Sequence, residues 1–272
     1  MNIKQNAIGI FDSGLGGLTA VREILEIMPN EDIVYFGDTG RVPYGSKSTD
    51  AINKYARQDA RFLKKMGVKM IVAACGTVSS VAPDLSEELG LPYTGVVYPT
   101  CYTAVRTTKN GRIGVIGTAA TIASHSYKKR IQAKHPEIEV FEEHCQLFVG
   151  FVENGLVDPD DELVQLMVKR YMAPLKENNV DTLILGCTHF PLLADAIQRE
   201  MGDGVTLIDS GKETAVYTKK VLEERGLLRD STEQGKAQFF VSDTPADFEK
   251  YAGLFLRDDL DITAEHINIE EY

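Results

Sequence analysis

The 272-residue sequence has no apolar run long enough to cross a membrane as a helix. Its N-terminal segment, MNIKQNAIGIFDSG, has one lysine and a short apolar stretch, which does not fit a secretory signal peptide. Basic residues are outnumbered: 29 Lys and Arg against 40 Asp and Glu give a net charge of −11. Nucleic-acid binding requires a clustered basic face. We therefore expect a cytoplasmic protein with no membrane partner and no nucleic-acid partner.

Cysteine is also scarce, with four residues and no C-x-x-C pair (Cys75, Cys101, Cys145 and Cys187). The number and spacing do not fit a secreted disulfide scaffold, and a reducing compartment is expected. Cys187 and His189 lie close together in CTH, but further zinc ligands are missing. A metal site and a dithiol redox site are therefore weakly supported.

Short apolar runs alternate with helix-like segments along most of the chain. Val21, Ile24, Leu25 and Met28 have the spacing of an amphipathic helix. The runs that resemble strands are AIGIF, DIVYFG, KMIVAA, YTGVV, RIGVIG, IEVFE, DTLILG, VTLI and AQFFV. This alternation predicts an α/β fold with mainly parallel sheets, covered on both faces.

Two segments of the chain look alike, which indicates two similar α/β domains. AIGIFDSGLGGLTAVREIL and RIGVIGTAATIASHSYKKRI each combine a strand, a small polar loop and a helix. We predict a first domain of residues 1–97 plus 208–272 and a second domain of residues 98–207. Ligands of open α/β sheets bind at the carboxyl ends of the strands. A cleft between the two domains is therefore the expected active site.

Cys75 and Cys187 occupy matched positions, each at the end of an apolar run, in MIVAACGTVSSV and TLILGCTHFPL. A helix that starts after a cysteine can lower the pKa of its thiol, so we expect reactive thiols. A Cys–His pair for hydrolysis or acyl transfer would explain only one of them. Two opposed thiols suit proton transfer on both faces of a carbon atom, with one group as base and the other as acid.

Three polar loops are candidate ligand contacts. FDSGLGGLTA places Asp12 and Ser13 before its glycines, so it is not the G-x-G-x-x-G pattern of dinucleotide sites. GDTGRVPYGSKS, residues 37–48, is rich in turn residues. Thr118 and Thr121 in GTAAT could bind a carboxylate at a helix start or could simply cap that helix.

An ordered set of motifs closely resembles the glutamate racemases, a cofactor-independent group within the aspartate/glutamate racemase superfamily. The motifs are GIFDSGLGGLTAVREI, DTGRVPYG, AACGTVSS, IGVIGT, FVENG, LGCTHFPLL and LIDSG. They run in order from about Ala7 to Gly211. The resemblance implies two α/β domains with a cysteine on each side of the substrate's α-carbon, and it implies neither pyridoxal phosphate nor a metal.

The resemblance also implies roles for individual residues. Cys75 would take the α-proton from D-glutamate and Cys187 from L-glutamate. Asp12 and His189 would assist the first and second thiol, and Glu153 would be an acid near the second. Substrate contacts would come from Asp12, Ser13, Tyr44, Gly45, Gly76, Thr77, Thr118, Thr121, Thr188 and His189. A homodimer that supplies D-glutamate for peptidoglycan, and so for cell shape, is implied as well.

One position departs from the family pattern. The family usually has Asn after the first cysteine, whereas this chain has Gly76. Loss of an amide hydrogen bond to a charged ligand costs about 1.5–3 kcal/mol, which predicts weaker binding or an altered substrate preference. A racemase for aspartate or another amino acid is therefore an alternative. A non-catalytic protein that binds acidic ligands and a thiol hydrolase are alternatives from other functional classes.

Overall fold

The computed structural model describes residues 3–82, 84–256, 260 and 262–272. Its strands, in chain order, are β1 (Ile8–Asp12), β2 (Ile33–Gly37), β3 (Met70–Ala73), β4 (Tyr93–Gly95), β5 (Arg112–Gly117), β6 (Glu139–His144), β7 (Thr182–Leu185), β8 (Thr206–Asp209), β9 (Ala237–Val241) and β10 (Ala264–His266).

The helices lie between these strands. They are α1 (Leu18–Ile27), α2 (Thr49–Lys65), α3 (Gly76–Val81), α4 (Ser86–Leu89), α5 (Val97–Thr107), α6 (Ala119–Ser124), α7 (Ser126–Gln132), α8 (Gln146–Glu153), α9 (Glu162–Glu177), α10 (Ala194–Met201), α11 (Ser210–Glu224) and α12 (Pro245–Ala252). Short 3₁₀ helices occur at Ile3–Gln5, Tyr44–Ser46, Phe190–Leu193 and Ile269–Glu271. No helix in the described part of the chain is long and apolar enough to cross a bilayer.

The strands form two parallel sheets, as the sequence predicts. The first sheet has the order β10-β9-β2-β1-β3-β4 and the second has the order β6-β5-β7-β8. Every paired strand is parallel to its neighbour. All residues of β1, β2, β3 and β7 are buried, because helices cover parallel sheets on both faces.

The first sheet draws its strands from residues 8–95 and 237–266, and the second from residues 112–209. The domain division at 97/98 and 207/208 stays a prediction. The second of these limits falls inside β8, whose four residues all pair with β7 in the second sheet. Helix α11 packs against α1 and α5, so it links elements that flank both sheets.

Helix α1 shows how the sequence positions the cleft. Glycines precede its first residue, Leu18, and its buried face contains Val21 and Ile24 at the predicted spacing. This face packs on the first sheet and against α11. The turn between β1 and α1 is thereby fixed at the carboxyl edge of the sheet, and the corresponding loops after β3, β5 and β7 approach the same point.

Candidate functional site

A cavity of about 30 Å³ lies between the carboxyl edges of the two sheets. Its walls come from the loops that follow β1, β2 and β3 in the first sheet and β5, β6 and β7 in the second. The lining residues are Ser13, Val42, Pro43, Tyr44, Gly45, Cys75, Gly76, Thr77, Thr118, Gln146, Val149, Cys187, Thr188 and His189. Both predicted thiols therefore face one enclosed space.

Cys75 lies just after β3 and directly before α3, with 5% of its surface exposed. Its Sγ is 3.8 Å from Oγ of Ser13. Burial raises the pKa of the Cys75 thiol, the negative charge of Asp12 raises it further, and the backbone N–H of Val78 only partly opposes this rise. The expectation of a lowered pKa at this helix start is therefore wrong for Cys75, because desolvation of the thiolate outweighs the effect of a helix of six residues.

Asp12 is the last residue of β1 and is fully buried, behind the residues that line the cavity. Its Oδ2 accepts a hydrogen bond from the backbone N–H of Gly14 at 3.1 Å. Its Oδ1 has no hydrogen-bond partner among the described residues. Burial raises the pKa of Asp12, although the charge of His189 and nearby backbone N–H groups oppose the rise. Asp12 therefore holds a proton more readily than an exposed carboxyl group does.

Cys187 has different surroundings. Its Sγ lies 3.8 Å from Nδ1 of His189, and Nε2 of His189 lies 3.0 Å from Oε1 of Glu153, the last residue of α8. Burial lowers the pKa of His189, but the hydrogen bonds to Cys187 and Glu153 outweigh it and raise the pKa to about 10. The imidazole is therefore charged at neutral pH and donates through both nitrogens. Such an imidazolium is the partner that a thiolate at Cys187 requires.

The segment after Cys187 begins as a 3₁₀ helix, Phe190–Leu193, and continues as α10. Phe190 is fully buried, and its ring meets that of Phe148 edge-on at a centroid distance of 5.3 Å. His189 also packs edge-on against Phe255, at 5.7 Å. These contacts fix the direction of the His189 ring between the thiol and the carboxylate.

Hydroxyl groups line the cavity from both sheets. The Oγ1 atoms of Thr77 and Thr118 are 3.0 Å apart, across the two walls. Thr118 also hydrogen-bonds Thr121 Oγ1 at 3.1 Å and caps α6 by accepting from the backbone N–H of Thr121. Thr121 itself is behind the lining residues. Thr188 lines the cavity, and its carbonyl accepts a hydrogen bond from Thr19 Oγ1 at 3.0 Å.

The structure brings most of the predicted site residues to the cavity wall. Asp12, Thr121 and Glu153 do not line it, and each instead contacts or lies beside a residue that does. Four lining residues escaped sequence reasoning: Val42, Pro43, Gln146 and Val149. Val42 and Pro43 belong to the predicted loop of residues 37–48. Gln146 follows the carboxyl end of β6, and ligands of α/β sheets bind at such ends, so the sequence pattern could have indicated it. Val149 carries no chemical signal.

Gly76 has a steric role in this cleft. A Cβ atom at residue 76 would lie 2.2 Å from the carbonyl oxygen of Gly186. The carbonyl oxygen belongs to the backbone, and the position of a Cβ atom is fixed by the backbone of residue 76, so neither atom can turn away. Absence of a side chain at residue 76 therefore lets the two loops meet across the cleft.

The other two cysteines lie outside the cavity. Cys101 and Cys145 are buried and free. Among the described residues no cluster of three or more His, Cys, Asp or Glu side chains is placed to hold a metal ion.

Comparisons with known proteins agree with one another. The family model for Asp/Glu/hydantoin racemases matches residues 18–218. A glutamate racemase of Geobacter metallireducens is 45% identical and covers 92% of each chain, and one of Chlorobaculum tepidum is 44% identical with 94% of each covered. The crystal structure of glutamate racemase RacE1 from Bacillus anthracis has a TM-score of 0.91 and 37% identity, over 97% of this chain and 98% of that one. The Francisella tularensis glutamate racemase in complex with D-glutamate has the same TM-score and identity, over 99% and 100%.

Proposed function

The chain belongs to the Asp/Glu/hydantoin racemase family, and from this premise we propose that it is a glutamate racemase that uses Cys75 and Cys187 as its two proton-transfer groups. The enzyme interconverts L- and D-glutamate. The observation that carries the proposed mechanism is the cavity between the sheets, which has one thiol on each wall and a different ionisable partner behind each thiol.

Racemisation requires removal of the α-proton from one face and delivery of a proton to the other. With L-glutamate, the Cys187 thiolate takes the α-proton and becomes a thiol, while the Cys75 thiol gives its proton to the opposite face. The C–H bond that breaks and the one that forms involve the same carbon, and no redox change occurs. With D-glutamate the two thiols exchange roles. Asp12 first receives the Cys75 proton, and the His189 imidazolium gives a proton to the Cys187 thiolate, so that Cys75 is then the base and Cys187 the acid.

His189 and Glu153 support this cycle on one side. The His189 imidazolium donates a hydrogen bond to the Cys187 thiolate, and Glu153 holds the ring in place by accepting from its other nitrogen. On the other side Cys75 rests as a neutral thiol because burial raises its pKa. In the proposed reaction of L-glutamate, Cys187 is the base and Cys75 is the acid.

The substrate's charged groups are bound by hydroxyl and backbone N–H groups. The proposed contacts are Ser13, Tyr44, Gly45, Gly76, Thr77, Thr118, Thr188 and His189, with Asp12 and Thr121 behind them. Donors fixed in advance stabilise the negative charge that develops when the α-proton leaves, and they do so most strongly where water is excluded. The chemistry assigned to these side chains requires neither pyridoxal phosphate nor a metal.

We also propose the biological setting and assembly. The enzyme acts in the cytoplasm and supplies D-glutamate for peptidoglycan, and thereby for cell-wall biogenesis. It forms a homodimer. Leu147, Leu163 and Leu166 of α8 and α9 are 56%, 58% and 67% exposed, which favours association through this side. Light scattering after size-exclusion chromatography should give twice the mass of one chain, and the Leu166→Glu variant should have a lower measured mass. A monomer at micromolar concentration contradicts the dimer.

The proposed activity is tested by incubating the purified protein with each enantiomer of glutamate and of aspartate in deuterium oxide. Loss of optical rotation and of the α-proton NMR signal with both glutamate enantiomers supports the proposal. Reaction with aspartate alone would make Gly76 the first residue to examine for altered specificity. Thermal stabilisation by glutamate without deuterium uptake would indicate a binding protein, and release of product from an ester or amide, with free amino acids unchanged, would indicate a hydrolase.

A further inference from the structure

A buried ionic network lies behind the part of the cavity wall formed by Tyr44 and Gly45. At its centre, Arg41 Nε donates to Asp38 Oδ2 at 2.6 Å and Arg41 Nη2 donates to Asp59 Oδ1 at 3.0 Å. Both aspartate side chains are completely buried, and only 12% of the Arg41 side chain is exposed. The rigid guanidinium plane therefore fixes the distance between the loop after β2 and helix α2.

The same two carboxylates hold Tyr44. Its hydroxyl forms a short hydrogen bond with Asp38 and lies 3.0 Å from Oδ2 of Asp59. The phenol ring is 1% exposed and packs 5.3 Å from that of Tyr55, over which the Arg41 guanidinium lies at 4.1 Å. Arg41 therefore sets the position of Tyr44 through the two aspartate side chains that both residues contact.

The Tyr44–Gly45 segment tolerates little displacement. A Cβ atom on Gly45 would lie 2.9 Å from Cβ of Thr118 on the opposite wall, so the segment already touches the second sheet's side of the cleft. Asp38 also donates its backbone N–H to the carbonyl of Asp12 at 3.0 Å. The network thus connects the cavity wall with the end of β1. Displacement of a binding group by about 1 Å can cost about 100-fold in an enzyme.

The third nitrogen of the guanidinium is bound by one residue of α2 and by one residue near the C-terminal end of the chain. Arg41 Nη1 donates to Gln58 Oε1 at 2.6 Å and to Glu270 Oε1 at 3.3 Å. Glu270 Oε2 in turn accepts from Gln58 Nε2 at 3.3 Å and from Lys54 Nζ at 3.4 Å. The 3₁₀ helix that carries Glu270 is anchored by Ile269, which is 4% exposed.

We infer that Arg41 is a positioning residue for the substrate-binding segment Tyr44–Gly45, and that the C-terminal turn carrying Glu270 completes this positioning. Nε and Nη2 are held by the loop and by α2, and Nη1 is held by Gln58 and Glu270. Residues near the end of the chain therefore influence a binding wall that they do not touch. The inference rests on the proposed function only in taking glutamate as the ligand.

The test uses Arg41→Lys and Glu270→Ala with matched controls. Arg57→Lys is the control for the arginine, because Arg57 lies on α2 next to Gln58 but binds Glu88 and the carbonyl of Asn53. Glu271→Ala is the control for the glutamate, because Glu271 lies on the same turn and, within the described part of the chain, its side chain bonds Asn268 and not Arg41. The dissociation constant of D-glutamate is measured by calorimetry in a Cys75→Ser, Cys187→Ser background. KM, kcat and Tm are measured with both thiols present.

Arg41→Lys should raise the dissociation constant about tenfold, because an ammonium group cannot hold both carboxylates in the same geometry. Glu270→Ala should raise it about threefold, since the pair with Glu270 is half exposed. KM should rise by the same factors, and kcat should stay within about threefold of its value in the unmodified protein. Arg57→Lys and Glu271→Ala should have the dissociation constant and KM of the unmodified protein.

A lowered Tm with an unchanged dissociation constant would assign Arg41 a purely structural role and overturn the inference. If Arg41→Lys does not fold, the test rests on Glu270→Ala. A dissociation constant for Glu270→Ala equal to that of Glu271→Ala would also overturn the inference. Because calorimetry requires no turnover, a protein that binds glutamate without racemising it counts against the proposed function alone.

Discussion

At the scale of single residues, the two thiols of the cleft differ in the charge beside them. Cys75 lies near the carboxyl group of Asp12, and burial raises its pKa, whereas Cys187 lies 3.8 Å from a charged imidazole. A racemase needs an acid and a base at the same moment. Asp12 beside one thiol and His189 beside the other allow two identical reacting groups to serve as the acid and the base.

Replacement of either thiol should remove racemisation. Cys75→Ser and Cys187→Ser should each lower kcat at least about 100-fold, because a hydroxyl is a poor proton carrier at neutral pH. Cys101→Ser and Cys145→Ser are the matched controls, since both thiols are buried outside the cavity. Polarimetry with D- and L-glutamate provides the rates. Activity within tenfold of the unmodified enzyme in either site variant would remove that cysteine from the mechanism.

His189 gives a pH-dependent prediction. Its pKa of about 10 in the folded protein exceeds the usual value of about 6.5, so its contribution to stability is complete below about pH 6.5 and is lost as the pH rises through 10. Glu153→Gln removes a negative charge that favours the imidazolium, and the pKa of His189 should fall. The NMR signal of the His189 Cε1 proton reports both values, with exposed His266 as control. Titration of His189 near pH 6.5 in the unmodified protein contradicts the assignment.

At the scale of elements, the loops after β3 and β7 meet through their backbones. Gly76→Asn should lower kcat/KM about tenfold, because a Cβ atom there would lie 2.2 Å from the Gly186 carbonyl oxygen and would force the loops apart. Gly150→Ala in α8 is the control, since nothing lies within 4 Å of its Cβ position. A lower KM in Gly76→Asn would contradict the steric explanation and would favour the missing amide hydrogen bond.

Sequence patterns predicted many of these elements and failed at identifiable places. Four of the predicted runs form buried strands: AIGIF, KMIVAA, RIGVIG and DTLILG. Short apolar runs bounded by glycine and polar residues are typical of such strands. Strand β10, Ala264–His266, was missed, since two of its three residues are exposed. The predicted lowering of the Cys75 pKa failed because burial depends on residues distant in sequence.

At the scale of the whole molecule, the two sheets enclose a cavity of about 30 Å³. A water molecule needs about 10–15 Å³ of such volume, so an amino acid as large as glutamate does not fit. The cleft must therefore widen when substrate enters. Hydrogen bonds such as Thr77 to Thr118 and Ser80 to Ser126 join the two sides of the cleft and oppose that motion.

A disulfide across the cleft tests this requirement. The Oγ atoms of Ser80 and Ser126 are 2.9 Å apart, on α3 and α7 and away from the cavity wall, so Ser80→Cys with Ser126→Cys can form a bond of about 2.05 Å. Oxidation should abolish turnover, and dithiothreitol should restore it. The two single variants, treated with the same oxidant, serve as controls. Full activity of the cross-linked protein would show that substrate enters without opening of the cleft.

The sequence revealed the cleft but not what supports it. Cys75 and Cys187 follow strand ends in the matched motifs MIVAACGTVSSV and TLILGCTHFPL, so their convergence followed from topology. The contact between Arg41 and Glu270 joins residues 229 positions apart, and no local pattern indicates it. Val149 was missed as a lining residue because an apolar side chain carries no chemical signal until the fold places it.

The most direct test of the two-thiol mechanism is the position of deuterium early in the reaction. L-Glutamate is incubated with the enzyme in deuterium oxide, the reaction is stopped below about one tenth of its course, and both enantiomers are separated and analysed by mass spectrometry. With separate groups on the two faces, D-glutamate should carry deuterium at the α-carbon while the remaining L-glutamate retains its proton. Equal deuterium in both enantiomers from the start would indicate one exchanging base and would contradict the assignment of Cys75 and Cys187 to opposite faces.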